Sequence, residues 1–362
     1  MFLIKNGKVL TMTGKLYDGA DILIENGVIK AIGGNLDTGG ERSTRIIDAT
    51  NFFIMPGLID AHSHLGIKSA HSNDAVTASQ RASNDIKFLA PDFSEALKAG
   101  VTQTLIMPRY DNLVSGMCAL CKTNTNADDM FLNDSAAMKA TLSGAQEGEM
   151  NESKRMALTA LLRDELFSAK EYLNAKERAK QNDLPFTRSE SMESWEGVLT
   201  RKIPLIIEAR FREDVETAVR MKKLLNIDIV ICGCDRAEPA FEEVAENHIP
   251  VVYTGDFSSG GLDKLSMLEK IGVEFAISAN SPNSPIAYLP FYAGLAAKSG
   301  ISLFAALKSV TTAPAKILGS ISRTATIEVG KDADIAIFDD NPLEVFSNVI
   351  ATIVDGDICY ER

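Results

Sequence analysis

The sequence has little histidine, little cysteine, one tryptophan, no basic excess and no apolar run of membrane length. Its longest apolar stretches, such as RKIPLIIEAR, fall well short of the roughly 20 residues that cross a bilayer, so no membrane helix and no membrane partner are expected. The start, MFLIKNGKVL, lacks a basic segment followed by a long apolar stretch and a cleavage site, which predicts a cytoplasmic protein. A net charge of -12 argues against a protein that coats nucleic acid or anionic lipid, because both demand a basic face. Five cysteines, an odd number, read as reduced thiols. With only four histidines in the chain, two that fall close together stand out.

What is present is ordinary globular material: 362 residues, 45% apolar and 24% charged, without internal repeats or low-complexity tracts. FLIKNGKVL and ADILIENGVIKAIGG are β-rich, and each carries an Asn-Gly pair, Asn6-Gly7 and Asn26-Gly27, where a tight hairpin turn is expected. NVIATIVDGDICYE near the other end turns at Asp355-Gly356. Strands with open edges need cover, so the two ends, residues 1–52 and 323–362, are expected to form one small β-sandwich.

Between them, residues 53–322 alternate short apolar runs with helical stretches, the pattern of parallel βα units. FIMPGLIDAH, VTQTLIMP, AMKATLS, IPLIIEA, IDIVICG, IPVVYTG and VEFAISAN are candidate strands. Their number approaches the eight of a TIM-type (β/α)8 barrel, and no glycine-rich nucleotide loop follows the first, which disfavours an open doubly wound sheet. In PDFSEALKAG, Asp92 or Ser94 is the expected N-cap and Gly100 ends the helix; TTAPAKILG has Pro314 in its first turn and ends at Gly319. Residues 144–200 are a charged insertion with one helix from Glu152 to Gln181, either a solvated flank or a lid over the barrel mouth.

The chemistry centres on PGLIDAHSHLG. Side chains two apart on a strand share a face, so Asp60, His62 and His64 are expected to line up at the C-terminal end of the first barrel strand, where barrel active sites lie. Two neutral imidazoles at this spacing can hold one divalent ion. His71 falls in a polar loop near that mouth, and His248 precedes a strand and belongs to the opposite end. The pairs Cys118/Cys121 and Cys232/Cys234 can be read as a four-thiolate zinc site or as small apolar side chains in strands. PRYDN and SPNSP follow strands and are candidates to line the pocket, with Arg109 or Arg210 available to an anionic substrate.

IDATNFFIMPGLIDAHSHLG, EALKAGVTQTLIMPRYDNLVSG and TTAPAKILGSISRTATIEVGKDADIAIFD resemble the amidohydrolase superfamily, in its branch near imidazolonepropionase, over most of the chain. The resemblance implies a barrel with one or two divalent metals, a β-sandwich from both chain ends, and hydrolysis of C–N bonds in cyclic amides, ureas or related small molecules. His62 and His64 match the family's first pair. Glu208 stands where a histidine is expected, Cys232 or Gly233 where another is, and Asn280 where an aspartate should bind the metal and accept a proton. His62, His64 and Glu208 would then hold one zinc or iron ion, with Glu208 or another group moving protons. Asn280 is no base near neutral pH. Lys122 and Lys139 are the positions to consider for the carboxylated lysine that bridges two metals in this superfamily, against surface or ion-pairing roles. These readings leave a metal-dependent hydrolase with an altered site, a non-catalytic relative acting as small-molecule binder or oligomeric scaffold, and an isomerase or lyase using Glu208 as base. A homo-oligomer is expected in each case.

Overall fold

The run FIMPGLIDAH does not form one strand: Phe53–Pro56 and Leu58–Ser63 belong to different sheets, with Gly57 between them. A Cβ at Gly57 would lie 2.1 Å from the Thr102 side chain, so only glycine lets the chain pass there. In this computed structural model, the described residues are all but 38–44, 69–73, 110–111, 125–129, 144–151, 256 and 258.

The chain ends share one sheet. Its strands are β1 (Phe2–Leu10), β2 (Leu16–Glu25), β3 (Val28–Gly33), β4 (Arg45–Asp48) and β5 (Phe53–Pro56) from the start of the chain. The barrel strands follow as β6 (Leu58–Ser63), β7 (Val101–Ile106), β8 (Val114–Lys122), β9 (Phe131–Thr141), β10 (Leu205–Phe211), β11 (Ile229–Arg236), β12 (Val251–Tyr253) and β13 (Phe275–Ile277). β14 (Ile335–Phe338), β15 (Val349–Val354) and β16 (Asp357–Glu361) return to the first sheet, in the order β16-β15-β14-β5-β1-β2-β3 with β4 also on β1. Where a sandwich was expected, these strands are hydrogen-bonded as one sheet that forks: one half of β1 pairs with β4 and the other with β5. A separate core, including Ile4, Val9, Ile22, Ile54, Ile335 and Ile353, fills it. β5 lies in this sheet, beyond the division drawn at residue 52.

Two of the three expected turns are hairpins. Asn26 and Gly27 (φ 51° and 79°) join β2 to β3, and Asp355 and Gly356 (φ 50° and 79°) join β15 to β16, each with the paired positive φ of a type I′ turn. Asn6-Gly7 instead makes a bulge inside β1, where the Asn6 N–H donates to Asp21 Oδ1 (3.0 Å) and Gly7 admits the Ile54 side chain.

The second sheet is an almost closed barrel in the order β13-β12-β11-β10-β9-β8-β7-β6. All seven candidate runs supply strands to it, but the eighth strand, β8, runs antiparallel to both neighbours. The connection from Ile106 to Val114 is too short for the crossover of a dozen or more residues that a parallel pairing needs, so the chain turns back as a hairpin. The closing edge is bridged from Ser63 to Ser281. Ile59, Ala61, Leu105, Leu120, Ala137, Ile206, Val230, Val252 and Ala276 fill the interior.

Helices cover the outside. Pro91–Lys98 starts on Pro91 with Ala90 as its N-cap rather than Asp92 or Ser94, because proline at the first position already presets the helical φ. The helix Glu152–Gln181 forms as the periodicity predicts, and its Leu162, Leu166 and Ala169 are buried in the core between helices and barrel. Trp195 beyond it is fully buried, its indole N–H donating to Glu165 (2.9 Å). This helix is a packed flank of the barrel. No helix among the described residues is long and apolar enough to cross a membrane.

Candidate active site

The parallel barrel strands all end on one rim. β6 delivers His62 and His64 there, β7 Pro108 and Arg109, β10 Glu208, β11 Cys232, and β13 Ser278 and Asn280. β9 carries Lys139 on the same face as Ala137, which lies in the interior core.

Strict alternation along β6 fails at the motif. The register slips between Asp60 and Ser63, and His64 lies beyond the strand, its N–H donating to the Ser281 carbonyl (2.9 Å). Asp60 is fully buried and turned to closing the barrel. Its carboxylate accepts from the backbone N–H groups of His62 (3.0 Å) and Ala279 (3.2 Å) and from Ser278 Oγ. Burial raises its pKa to about 6 against the opposing pull of these donors. Asp60 therefore fixes the backbone of His62 and ties β6 to β13, a role invisible in the sequence.

The two imidazoles lie edge to face with centroids 5.4 Å apart. His64 Nδ1 is 2.8 Å from the Met107 carbonyl oxygen, which only accepts, so Nδ1 carries the proton and Nε2 presents a lone pair. His62 Nδ1 is buried without a hydrogen-bond partner among the described residues. Burial, with the charge of Lys139 adding to it, lowers the His62 pKa to about 3 and holds His64 well below its ordinary value. Both rings are neutral at physiological pH.

Lys139 is 7% exposed. Its Nζ donates at 3.5 Å to the Pro108 carbonyl, and it has no ion pair among the described residues. Its charge acts on both imidazoles and on the buried thiols of Cys118 and Cys232. Glu208 pairs in register with Cys232 and Thr141, and its charge reaches the Cys232 thiol. Asn280 sits at φ 57°, a left-handed conformation that asparagine tolerates, with its N–H donating to Ser278 Oγ (2.9 Å). Arg109 also acts on His64, whereas Arg210 is committed to Asp235 by two hydrogen bonds of 3.1 and 3.0 Å.

Other candidates fall elsewhere. Because β8 is antiparallel, Lys122 emerges at the opposite end of the barrel, paired with Asp332 (2.8 Å), Asp334 (3.2 Å) and Asp355 of the chain-end region. The cysteine pairs do not assemble a zinc site: Cys118 and Cys232 face the interior core, Cys121 and Cys234 the outer one. Burial pushes the thiols of Cys118, Cys121 and Cys234 up to about 12. His248 lies at the end opposite the rim, and His71 lies outside the described residues.

The Amidohydrolase family matches residues 155–360, more than half of the chain. The chain belongs to that family. A solved amidohydrolase from Thermotoga maritima MSB8 is 29% identical to this family member, with TM-score 0.90 and full coverage of both chains. The dihydroorotase of Ligilactobacillus salivarius is 25% identical over 440 aligned residues that cover 99% of each chain. The dihydroorotase of Ruminiclostridium cellulolyticum is 31% identical over 166 residues, 45% of this chain and 35% of that protein.

Family members generally use a divalent metal, and the two imidazoles suit one. The third donor is lacking: among the described residues no three His, Cys, Asp or Glu side chains form a group able to hold a metal ion. Among the described residues Glu208 is not grouped with His62 and His64, and the charge from β9 that acts on both imidazoles is the cation of Lys139. As they stand, these residues do not fit the metal.

Proposed function

We propose that this family member hydrolyses a C–N bond in a small cyclic amide or urea-like substrate, bound at the barrel rim beside His62, His64, Glu208 and Asn280. The observation that carries the reading is the buried, neutral imidazole pair at the end of the first barrel strand of an amidohydrolase-family chain. Two relatives with the name dihydroorotase support a cyclic amide as the substrate class.

Water attacks the amide carbonyl and Glu208 takes its proton, which returns to the departing nitrogen as the C–N bond breaks. His64 Nε2 accepts a hydrogen bond from the substrate or the water, and the Asn280 amide orients the carbonyl without exchanging a proton. A divalent metal supplies a polarised water in other designs of this kind, and no step is assigned to it here.

The test is turnover of a panel of five- and six-membered cyclic amides and ureides by the native chain and by Glu208→Gln. A loss of roughly 10²- to 10⁴-fold in the variant is expected. Unchanged turnover in Glu208→Gln refutes the assignment of the base.

Asn280 and the missing third donor favour a second reading, a barrel retained as a small-molecule binder or oligomeric scaffold. A complete lack of native turnover that Asn280→Asp with Glu208→His restores supports it. Robust native turnover discards it.

A further inference from the structure

The rim holds one more group that the hydrolytic reading does not use. An ammonium is almost never buried without an anion, because desolvation is expensive and an opposite charge normally offsets it. Lys139 is 7% exposed, and its hydrogen bond to the Pro108 carbonyl is long, at 3.5 Å. No carboxylate among the described residues pairs with it, although the same barrel surrounds its other buried lysine, Lys122, with three aspartates.

The positions around Lys139 point the same way. Lys139 stands beside Ile206 in register, on the interior face, and its Nζ reaches the end of β7. Next to it are two imidazoles, one with a buried nitrogen lacking a partner among the described residues and one whose Nε2 presents a lone pair. Arg109, on the same rim, adds a second positive charge that acts on His64 and has no ion pair among the described residues. Two positive charges, those of Lys139 and Arg109, thus act on His64 in a chain of net charge -12. Positive charge placed there opposes a divalent cation and favours an anion.

We propose that the ammonium of Lys139 is the cation of this site, standing in for the divalent metal, and that it binds the small substrate through a carboxylate. The proposal rests on the reading of the rim as the substrate site but not on turnover. The carboxylate supplies the counter-ion that Lys139 lacks among the described residues, and Arg109 steers the anion to the mouth. His64 Nε2 and His62 Nδ1 accept hydrogen bonds from the ammonium or from the substrate's N–H groups.

The experiment measures binding, with oxalate and zinc chloride as probes. The native chain and Lys139→Met are dialysed against zinc in bicarbonate-free buffer, freed of loose metal on a chelating resin and assayed by mass spectrometry. Oxalate affinity is measured by calorimetry on the same samples, and thermal unfolding establishes that the variant is folded. Native protein free of stoichiometric zinc, with oxalate bound roughly 10- to 100-fold more tightly than by Lys139→Met, supports the proposal. About one tightly held zinc in the native chain overturns it, as does zinc uptake that bicarbonate restores to the native chain but not to Lys139→Met, which makes Lys139 a carboxylated ligand. Oxalate affinity that is absent, or equal in the two proteins, overturns it as well. Should Lys139→Met fail to fold, the native zinc content and the oxalate affinity of Arg109→Gln, expected to fall several-fold, decide. Because neither readout needs catalysis, an inactive protein that passes these tests separates this inference from the hydrolytic assignment.

Discussion

The barrel buries a lysine near each of its ends, and the two are treated in opposite ways. Lys122, at the end facing the chain-terminal sheet, is 1% exposed and enclosed by Asp332, Asp334 and Asp355. Lys139, toward the opposite rim, has among the described residues one long hydrogen bond, to a carbonyl. A surrounded charge holds two parts of a fold together, whereas a charge left without its counter-ion is a cost that a ligand can relieve. The comparison teaches which end of the barrel is structural and which is available for chemistry.

The sharpest way to break it is Lys122→Met. Removing the cation leaves the buried Asp334 without its counter-ion, and a loss of about 3 to 5 kcal/mol is expected in chemical denaturation. Next in size is Asp60→Ala, which strips the acceptor from the His62 and Ala279 N–H groups; about 3 kcal/mol should be lost. The same variant should broaden the imidazole NMR signals of His62, since its backbone anchor is gone. Gly57→Ala forces a methyl group onto Thr102 and should cost roughly 1 to 3 kcal/mol, read as a lowered Tm. Smallest is Lys139→Met, expected to change stability by no more than about 1 kcal/mol, and toward greater stability, because it replaces a buried charge that has no counter-ion among the described residues with an apolar side chain of similar length. A destabilisation by Lys139→Met as large as that by Lys122→Met would erase the distinction between the two ends.

Much of the fold was legible because it rests on periodicity and turn chemistry. The seven apolar runs and the helix Glu152–Gln181 follow from spacing alone, and two of the three glycine-containing dipeptides turn where their left-handed preference predicts. LVSGMCALCK was not read as a strand, because it is buried along its whole length and so shows neither alternation nor helical spacing. That oversight hid the direction of β8, and with it the separation of Lys122 from the rim.

The site was less legible. His62 and His64 are marked by their rarity and by the barrel strand they end. Asp60 looks like their companion in sequence, yet a slip in register turns its carboxylate to the closing edge. Lys139 is singled out only by the family resemblance: a lysine between Met138 and Ala140 otherwise reads as a surface residue, and its burial depends on which face of β9 is turned inward, a property of the assembled sheet.

Gly57 carries one further consequence. Its N–H donates to the Asp334 carbonyl (2.9 Å), Gln103 Nε2 donates to the Asp334 carboxylate (2.9 Å), and Thr102 fills the space where a side chain would be. A single residue separates β5 from β6, but it sits in a keyed socket, so this joint acts as a weld. Motions that admit a substrate must then come from the loops of the rim, because the sheets cannot swing about Gly57 without first expelling Thr102 and breaking both bonds to Asp334.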